Sequence, residues 1–233
     1  MTTLPIAPDA DVLSWSCIHA RGDDAVSFLQ GQLSQDVTGL DTDRWSLVLT
    51  PDSVVVAPCV VRRGEGGLDL VMQHEVVDDV LRRLRRFVLR ARCTLECVRG
   101  ARGPFATDDD RIDAAWPGVA EMAAALTPHS FGREFVAATV SFDKGCFTGQ
   151  ELVGRLDARG ASVPWRLVRV RAPDLESADT VLRSAGPPGP AGVTSARRAG
   201  RSNDFQGLGV AHRTLLGGLG RLERDDVVVD EVP

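Results

Sequence analysis

Residues 143–155 read DKGCFTGQELVGR, and Lys144 is the only lysine among the 27 lysines and arginines of the chain. A sequence that otherwise carries its positive charge on guanidinium groups places one ammonium two residues before Cys146. The two cations are not interchangeable where geometry is tight, because an ammonium is a compact point donor and a guanidinium a flat fork. Thr148-Gly149-Gln150-Glu151 has the S/T-x-x-E spacing of a capping box, and Phe147 and Leu152 have the spacing of a hydrophobic staple. The expected local structure is a strand over EFVAATVSF (134–142), a glycine turn, and a helix beginning near Gly149. Cys146 then sits two residues ahead of the N-cap, close to unpaired backbone N–H groups and the positive end of the helix dipole. Those groups and Lys144 favour thiolate over thiol. Gly145 leaves room for a ligand to approach the backbone, and the turn suits an anionic group. The plainer alternative is a surface lysine beside a buried, inert cysteine.

Outward from this stretch, the pattern of apolar residues assigns the neighbouring elements. Residues 12–21, 45–50, 53–63 and 68–72 read as strands, with turns at Pro51-Asp52 and at Gly64, Gly66 and Gly67. DDAVSFLQ reads as a short helix ended by Gly31, and His74–Phe87 as the clearest helix, with Val77, Leu81, Leu84 and Val88 on one face. Its other face carries Arg82, Arg83, Arg85 and Arg86, read as a solvated face with cations at the C-terminal end of the dipole. Residues 88–98 return as a strand. Asp108, Asp109 and Asp110 lack the alternating ligand spacing of a calcium loop and read as a solvated turn. GVAEMAAAL (118–126) reads as a short helix. After Pro164, WRLVRVRAP, GVTSARR, FQGLGVAHR and DDVVVDEV read as short strands, with a Gly/Pro turn around 186–192, and suggest a small antiparallel sheet or barrel.

Composition bounds the function classes. The 233 residues, 43% hydrophobic and 25% charged, suit one large or two small globular domains. A formal net charge of −5 argues against wholesale binding to nucleic acid or to a membrane surface. MTTLPIAPDADVLSW lacks a basic region followed by an apolar run. No stretch approaches the ~18 apolar residues of a membrane helix. The expectation is a cytoplasmic protein without membrane association. The five cysteines, Cys17, Cys59, Cys93, Cys97 and Cys146, are odd in number and scattered, which is no disulfide framework. Cys93 and Cys97 lie in a strand-like CTLEC, and no second close pair supplies the remaining ligands of a metal site.

KGCFTGQELVGR followed by ARG (158–160) closely resembles the K-G-C-[YF]-x-G-Q-E-x-x-x-R signature of the YgfZ family of folate-binding proteins, relatives of the glycine-cleavage T-protein, the aminomethyltransferase. GDDAVSFLQGQLSQDV (22–37) is similar to a second block of that family, one it shares with the T-protein. GVTSARR with FQGLGVAHR is similar to its closing strands. Lys144, Gly145, Cys146, Gly149, Gln150, Glu151 and Arg155 match the central motif position by position. Phe147 stands where tyrosine is more usual, in a chain with no tyrosine. The resemblance implies an α+β, GcvT/YgfZ-like folate-binding fold of ring-like arrangement with a small C-terminal β-barrel. It places an α+β region over 1–160, as two interleaved subdomains with 46–100 as one unit, and the barrel over 161–233.

The same resemblance implies tetrahydrofolate as ligand, with Gly145, Gly149, Gln150, Glu151 and Arg155 toward the folate and Cys146 with Lys144 as the reactive pair. It further implies a role in maturing or repairing iron–sulfur enzymes, which are then the protein partners. One motif cysteine without a C-x-x-C set argues against a stably bound iron–sulfur cluster. Two other readings remain. One is an aminomethyltransferase like the T-protein, although SWSCIHARG lacks the aspartate looked for ahead of the second block. The other is a noncatalytic module binding tRNA or a partner through the Arg-rich helix.

Overall fold

Alternating burial along the strands and a four-residue repeat along the helices organise the chain into two sheets, each with helices on it. The computed structural model describes residues 12–160, 162–198, 204–217 and 220–233. The stretch read for a leader lies, through residue 11, outside them. In chain order the elements are β1 (Trp15–Arg21), α1 (Ala25–Gln32), β2 (Arg44–Leu49), β3 (Val55–Gly64), β4 (Gly67–Gln73), α2 (His74–Arg85), β5 (Thr94–Arg99), α3 (Asp108–Asp113), α4 (Val119–Met122), α5 (Arg133–Thr139), α6 (Gln150–Ala158), β6 (Trp165–Ala172), α7 (Leu175–Arg183), β7 (Gly192–Arg198), β8 (Phe205–His212), β9 (Arg221–Arg224) and β10 (Val227–Glu231). No helix among the described residues is long and apolar enough to cross a membrane.

The chain divides into two compact units. The first comprises Ser14–Pro104 and Ala125–Ser162. Its antiparallel sheet has the order β2-β3-β4-β1-β5. Ile18 and Ala20, Ala57, Cys59 and Val61, and Leu68, Leu70 and Met72 lie two apart on their strands and share one buried face. Ala25 and Leu29 of α1 and Val77, Val80, Leu81 and Leu84 of α2 cover that face. The α2 set falls at i, i+3, i+4 and i+7, the stripe a helix needs to lie on a sheet. The arginines of α2 stay outward, Arg82 and Arg83 both on Asp79.

The second unit joins the residues up to Leu13, Phe105–Ala124 and Val163–Pro233. Its antiparallel sheet has the order β7-β8-β6-β10-β9, with β7 and β9 at the edges. It is an open sheet among the described residues, where a small closed barrel was expected. A helix explains the difference. Residues 175–183, between the strands read at WRLVRVRAP and GVTSARR, form α7, started by Asp174 accepting from the Ser177 N–H. Ala178, Val181 and Leu182 of α7 pack against Val168, Val170 and Ala172 of β6. A sheet whose apolar face is covered by a helix needs no closure to bury it.

Four further local expectations are corrected. Residues 134–142 are not a strand: Phe135, Val136 and Thr139 are the buried face of α5. Asp108–Asp110 open α3 through a capping box between Thr107 and Asp110. Gly31 lies inside α1 and does not end it. The strand expected over 88–98 is confined to β5, so residues 86–93 form a connection after α2.

Candidate functional site

Two stretches far apart in sequence, the 30–37 segment after α1 and the 141–149 loop, are bonded into one body. Lys144 is the main pin. It is 8% exposed, and its Nζ donates to the carbonyls of Gln30 at 2.6 Å, Leu33 at 2.6 Å and Gln35 at 3.0 Å. These are the last-turn, C-cap and following carbonyls of α1, groups a helix leaves without intrahelical partners, at the end where a cation is favoured. The three carbonyls use all three ammonium N–H groups, so none is left to hold the Cys146 sulfur. Around the pin, the Thr148 N–H donates to Gly31 O, the Ser141 N–H to Ser34 O, and the Ser34 hydroxyl to Thr139 O. Phe147 packs beneath, its ring centroid 5.2 Å from Nζ. Burial pushes the Lys144 pKa down from 10.5 to about 8, against the opposing pull of the Asp36 carboxylate.

The turn after the pin differs from the expected capping box. Helix α6 begins at Gln150, its N-cap is Gly149, and no side chain caps it. Gly149 has φ +83°, and a Cβ there would lie 2.6 Å from the Thr50 carbonyl oxygen. Its own carbonyl accepts from the Ser53 hydroxyl. Left-handed backbone and close approach together demand glycine, and the turn they set moves the N-cap one residue past Thr148. Glu151 consequently turns outward and pairs with Arg155 at 2.7 Å. Gly149→Ala is expected to destabilise the protein by ~2 kcal/mol or more, since the conformation alone costs roughly 1–2. A shift of the urea midpoint by less than half of that would refute the double constraint.

Cys146 is exposed and free, three residues before the N-cap. A Cβ on Gly145 would meet nothing within 4 Å, so that position is open space. The next residue, Phe147, begins the lining of a solvent-open hollow of about 590 Å³. Pro51, Phe87 and Phe147 form its apolar side, and Thr148, Gly149, Gln150 and Glu151 its polar side. Of the motif residues, Gly149, Gln150 and Glu151 are therefore gathered at one hollow. Gly145 and Cys146 stand just before it in the chain, Arg155 one turn along α6, and Lys144 behind it as an anchor.

Pro51 and Phe87 carry no motif signal and enter only through the fold. A second group also went unread in the sequence. Cys17, His19 and Asp69 bring a sulfur, a ring nitrogen and a carboxylate oxygen within 4.8 Å of one another. The alternation of β1 puts Cys17, His19 and Arg21 on one face, and the register sets His19 opposite Asp69. The Arg21 guanidinium already stands on Asp69 and lies 3.0 Å from His19 Nδ1. Burial, followed by the Asp69 charge, pushes the Cys17 thiol up to about 11. The group is an ion-pair cluster whose cation is supplied by the chain itself.

No protein-family model matches the chain, and no curated protein does. Among solved structures, it is similar to the crystal structure of glycine cleavage system aminomethyltransferase T from Bartonella henselae, with a TM-score of 0.60 and 13% identity over 94% of this chain and 82% of that one. At that identity the likeness is one of fold.

Proposed function

We propose that the protein binds a reduced folate in the hollow beside the Phe147–Glu151 turn and uses the neighbouring Cys146 thiol in maturing or repairing iron–sulfur enzymes. The observation that carries this reading is an exposed free sulfur on a loop pinned by a buried ammonium, one residue ahead of the hollow's wall. The fold likeness to an aminomethyltransferase supports folate as the ligand class. The hollow's residues fit that ligand. Its volume falls within the roughly 300–1,000 Å³ of small-molecule sites. Phe87, Phe147 and Pro51 offer an apolar wall for a flat ring, and Gln150 and Glu151 offer partners for its amide-like edge. Arg155, one turn along α6 outside the hollow's wall, would have to leave its Glu151 partner to meet the carboxylate tail. Folate, when bound, supplies one-carbon chemistry. This chain's own part is to bind and orient it and to hold a thiol beside it. Lys144 is a positioning residue, fixing the loop that carries the sulfur.

Anaerobic calorimetry with tetrahydrofolate tests the binding half. Wild type is expected to bind, and Gln150→Ala to bind at least about tenfold more weakly, ~1.4 kcal/mol. Cys146→Ala is expected to bind folate as wild type does and to fail in complementing a strain that lacks this function. The absence of binding by any reduced folate would remove the ligand, and full complementation by Cys146→Ala would remove the role of the sulfur. The fold likeness also keeps aminomethyl transfer as a second reading. Folate-dependent release of ammonia from an aminomethyl-lipoyl carrier would favour it over the first.

A further inference from the structure

Helix α2 ends with its last turn tightened, the Arg86 N–H on Arg83 O and the Phe87 N–H on Leu84 O. The chain then runs Arg86-Phe87-Val88-Leu89-Arg90 across the surface of the first unit. Phe87 is 55% exposed and Leu89 85% exposed. Both lie past the stripe that α2 buries, so the core has no use for them. Neighbouring large apolar side chains left in water mark an interaction surface more often than isolated ones do.

The arginines around them divide into two groups. Arg82 and Arg83 are held by Asp79, Arg92 by Asp23 and Asp24, and Arg99 by Asp78. Arg85 donates to Leu95 O. Arg86 and Arg90 are exposed, and no carboxylate among the described residues pairs with them. The loop thus displays two uncommitted cations flanking two exposed apolar side chains, of which Phe87 also walls the hollow.

We propose that residues 86–90 are the docking surface for an acidic protein segment, which lays an apolar side chain on Phe87 and Leu89 between Arg86 and Arg90. Charge selects this occupant. A nucleic acid draws its affinity from many phosphate contacts, and the arginine face of α2 is largely committed to its own carboxylates and carbonyl, leaving two free cations. An anionic membrane is held by clusters of about 4–8 Lys and Arg, and this loop offers two free cations. An acidic segment with one aromatic or aliphatic side chain matches both features of the loop. This goes beyond the folate reading and does not require it. Phe87 also walls the hollow, so a docked segment lies beside the turn that follows Cys146.

A library of random nonamer peptides passed over the immobilised full chain tests it. Retained peptides are expected to be enriched about tenfold in Asp and Glu flanking Phe or Leu. The double variant Arg86→Glu/Arg90→Glu is expected to reverse the charge preference toward Lys and Arg, an effect that mere loss of structure does not produce. Leu89→Ser is expected to lose the apolar preference and keep the acidic one. No enrichment, or enrichment indifferent to the charge reversal, overturns the proposal. So does tighter binding to a 20-nucleotide single-stranded RNA, or to phosphatidylserine vesicles, than to the selected peptides. Folate calorimetry on the double variant is expected to match wild type, so failure of docking and failure of folate binding are read separately.

Discussion

Lys144→Met is expected to cost ~3–5 kcal/mol of folding stability, because it leaves a buried set of carbonyl oxygens without their donor. Three acceptors converge on one nitrogen at 2.6, 2.6 and 3.0 Å. They belong to the end of α1 and the segment after it, where the Thr148 N–H answers the neighbouring Gly31 carbonyl. Lys144→Arg is expected to rescue little of the loss. A planar fork with a longer reach cannot place three N–H groups on one point, and its extra volume must go into a site that is 8% exposed. That is the physical answer to why an arginine-rich chain keeps one lysine. Denaturant unfolding of both variants measures the effect. A Lys144→Met variant within ~1 kcal/mol of wild type, or full stability in Lys144→Arg, would sink it.

The same side chain makes its own titration visible. With one lysine in the chain, ¹⁵N-lysine labelling gives one side-chain ammonium signal, whose midpoint is expected near the folded value of about 8. Between about 8 and 10.5 the unfolded chain keeps the proton that the folded one has released. The unfolded state then binds more protons, so the stability contributed by this group rises with pH across that window. The contribution is level below it, where both states are protonated. A midpoint at 10.5 or above would mean that the three carbonyls fully offset the cost of burying the ammonium.

Much of the fold is legible because it is local. The β2-β3-β4 meander, α2, β6 and β8 follow from alternation, a four-residue repeat and turn residues that any short window contains. The elements that escaped have ambiguous or competing local signals. FVAAT in α5 is short, apolar and partly β-branched, and either period fits it. The T-x-x-D start of α3 was masked by three consecutive aspartates that look like a solvated turn. At 148–151 the opposite happened. The local capping signal is present, but tertiary packing of Gly149 against the Thr50 carbonyl overrides it. The site divides in the same way. Motif spacing gathers Gly149, Gln150 and Glu151, which are neighbours on one turn. It cannot reveal that Lys144 answers carbonyls 109 to 114 residues away, nor that Phe87 arrives from the end of α2. The second block of the resemblance, 22–37, gains a physical meaning from this: it carries the carbonyl set that the lysine fits.

In the second unit, Glu121→Ala is expected to destabilise by ~3–5 kcal/mol, the effect of stranding a buried charge. The Glu121 side chain is fully buried and Arg111 is 3% exposed. One carboxylate oxygen accepts from Arg111 Nη1 at 2.9 Å and from the Gly118 N–H at 2.7 Å. The other accepts from the hydroxyls of Thr194 at 2.6 Å and Ser195 at 2.7 Å. Arg111 also reaches Asp108, the Trp116 carbonyl and Ser195. The cluster therefore joins α3 and α4 to strand β7 through charge-assisted bonds with few lone pairs unused. Removing the carboxylate leaves the buried Arg111 guanidinium with Asp108 as its one remaining anion and orphans two donors, the Gly118 N–H and the Ser195 hydroxyl, while the Thr194 hydroxyl keeps the Leu208 carbonyl. Glu121→Gln keeps the shape but turns an amide N–H₂ toward donors, so it is expected to recover only part of the loss. The double variant Arg111→Met/Glu121→Leu removes both charges, and its cost is expected to fall well below the sum of the two single variants. Coupling of this kind belongs to partners in one network. Strict additivity in a double-mutant cycle of urea midpoints would show that the two side chains do not act as a pair. A loss below ~1 kcal/mol for Glu121→Ala would mean that the carboxylate is solvated and not buried.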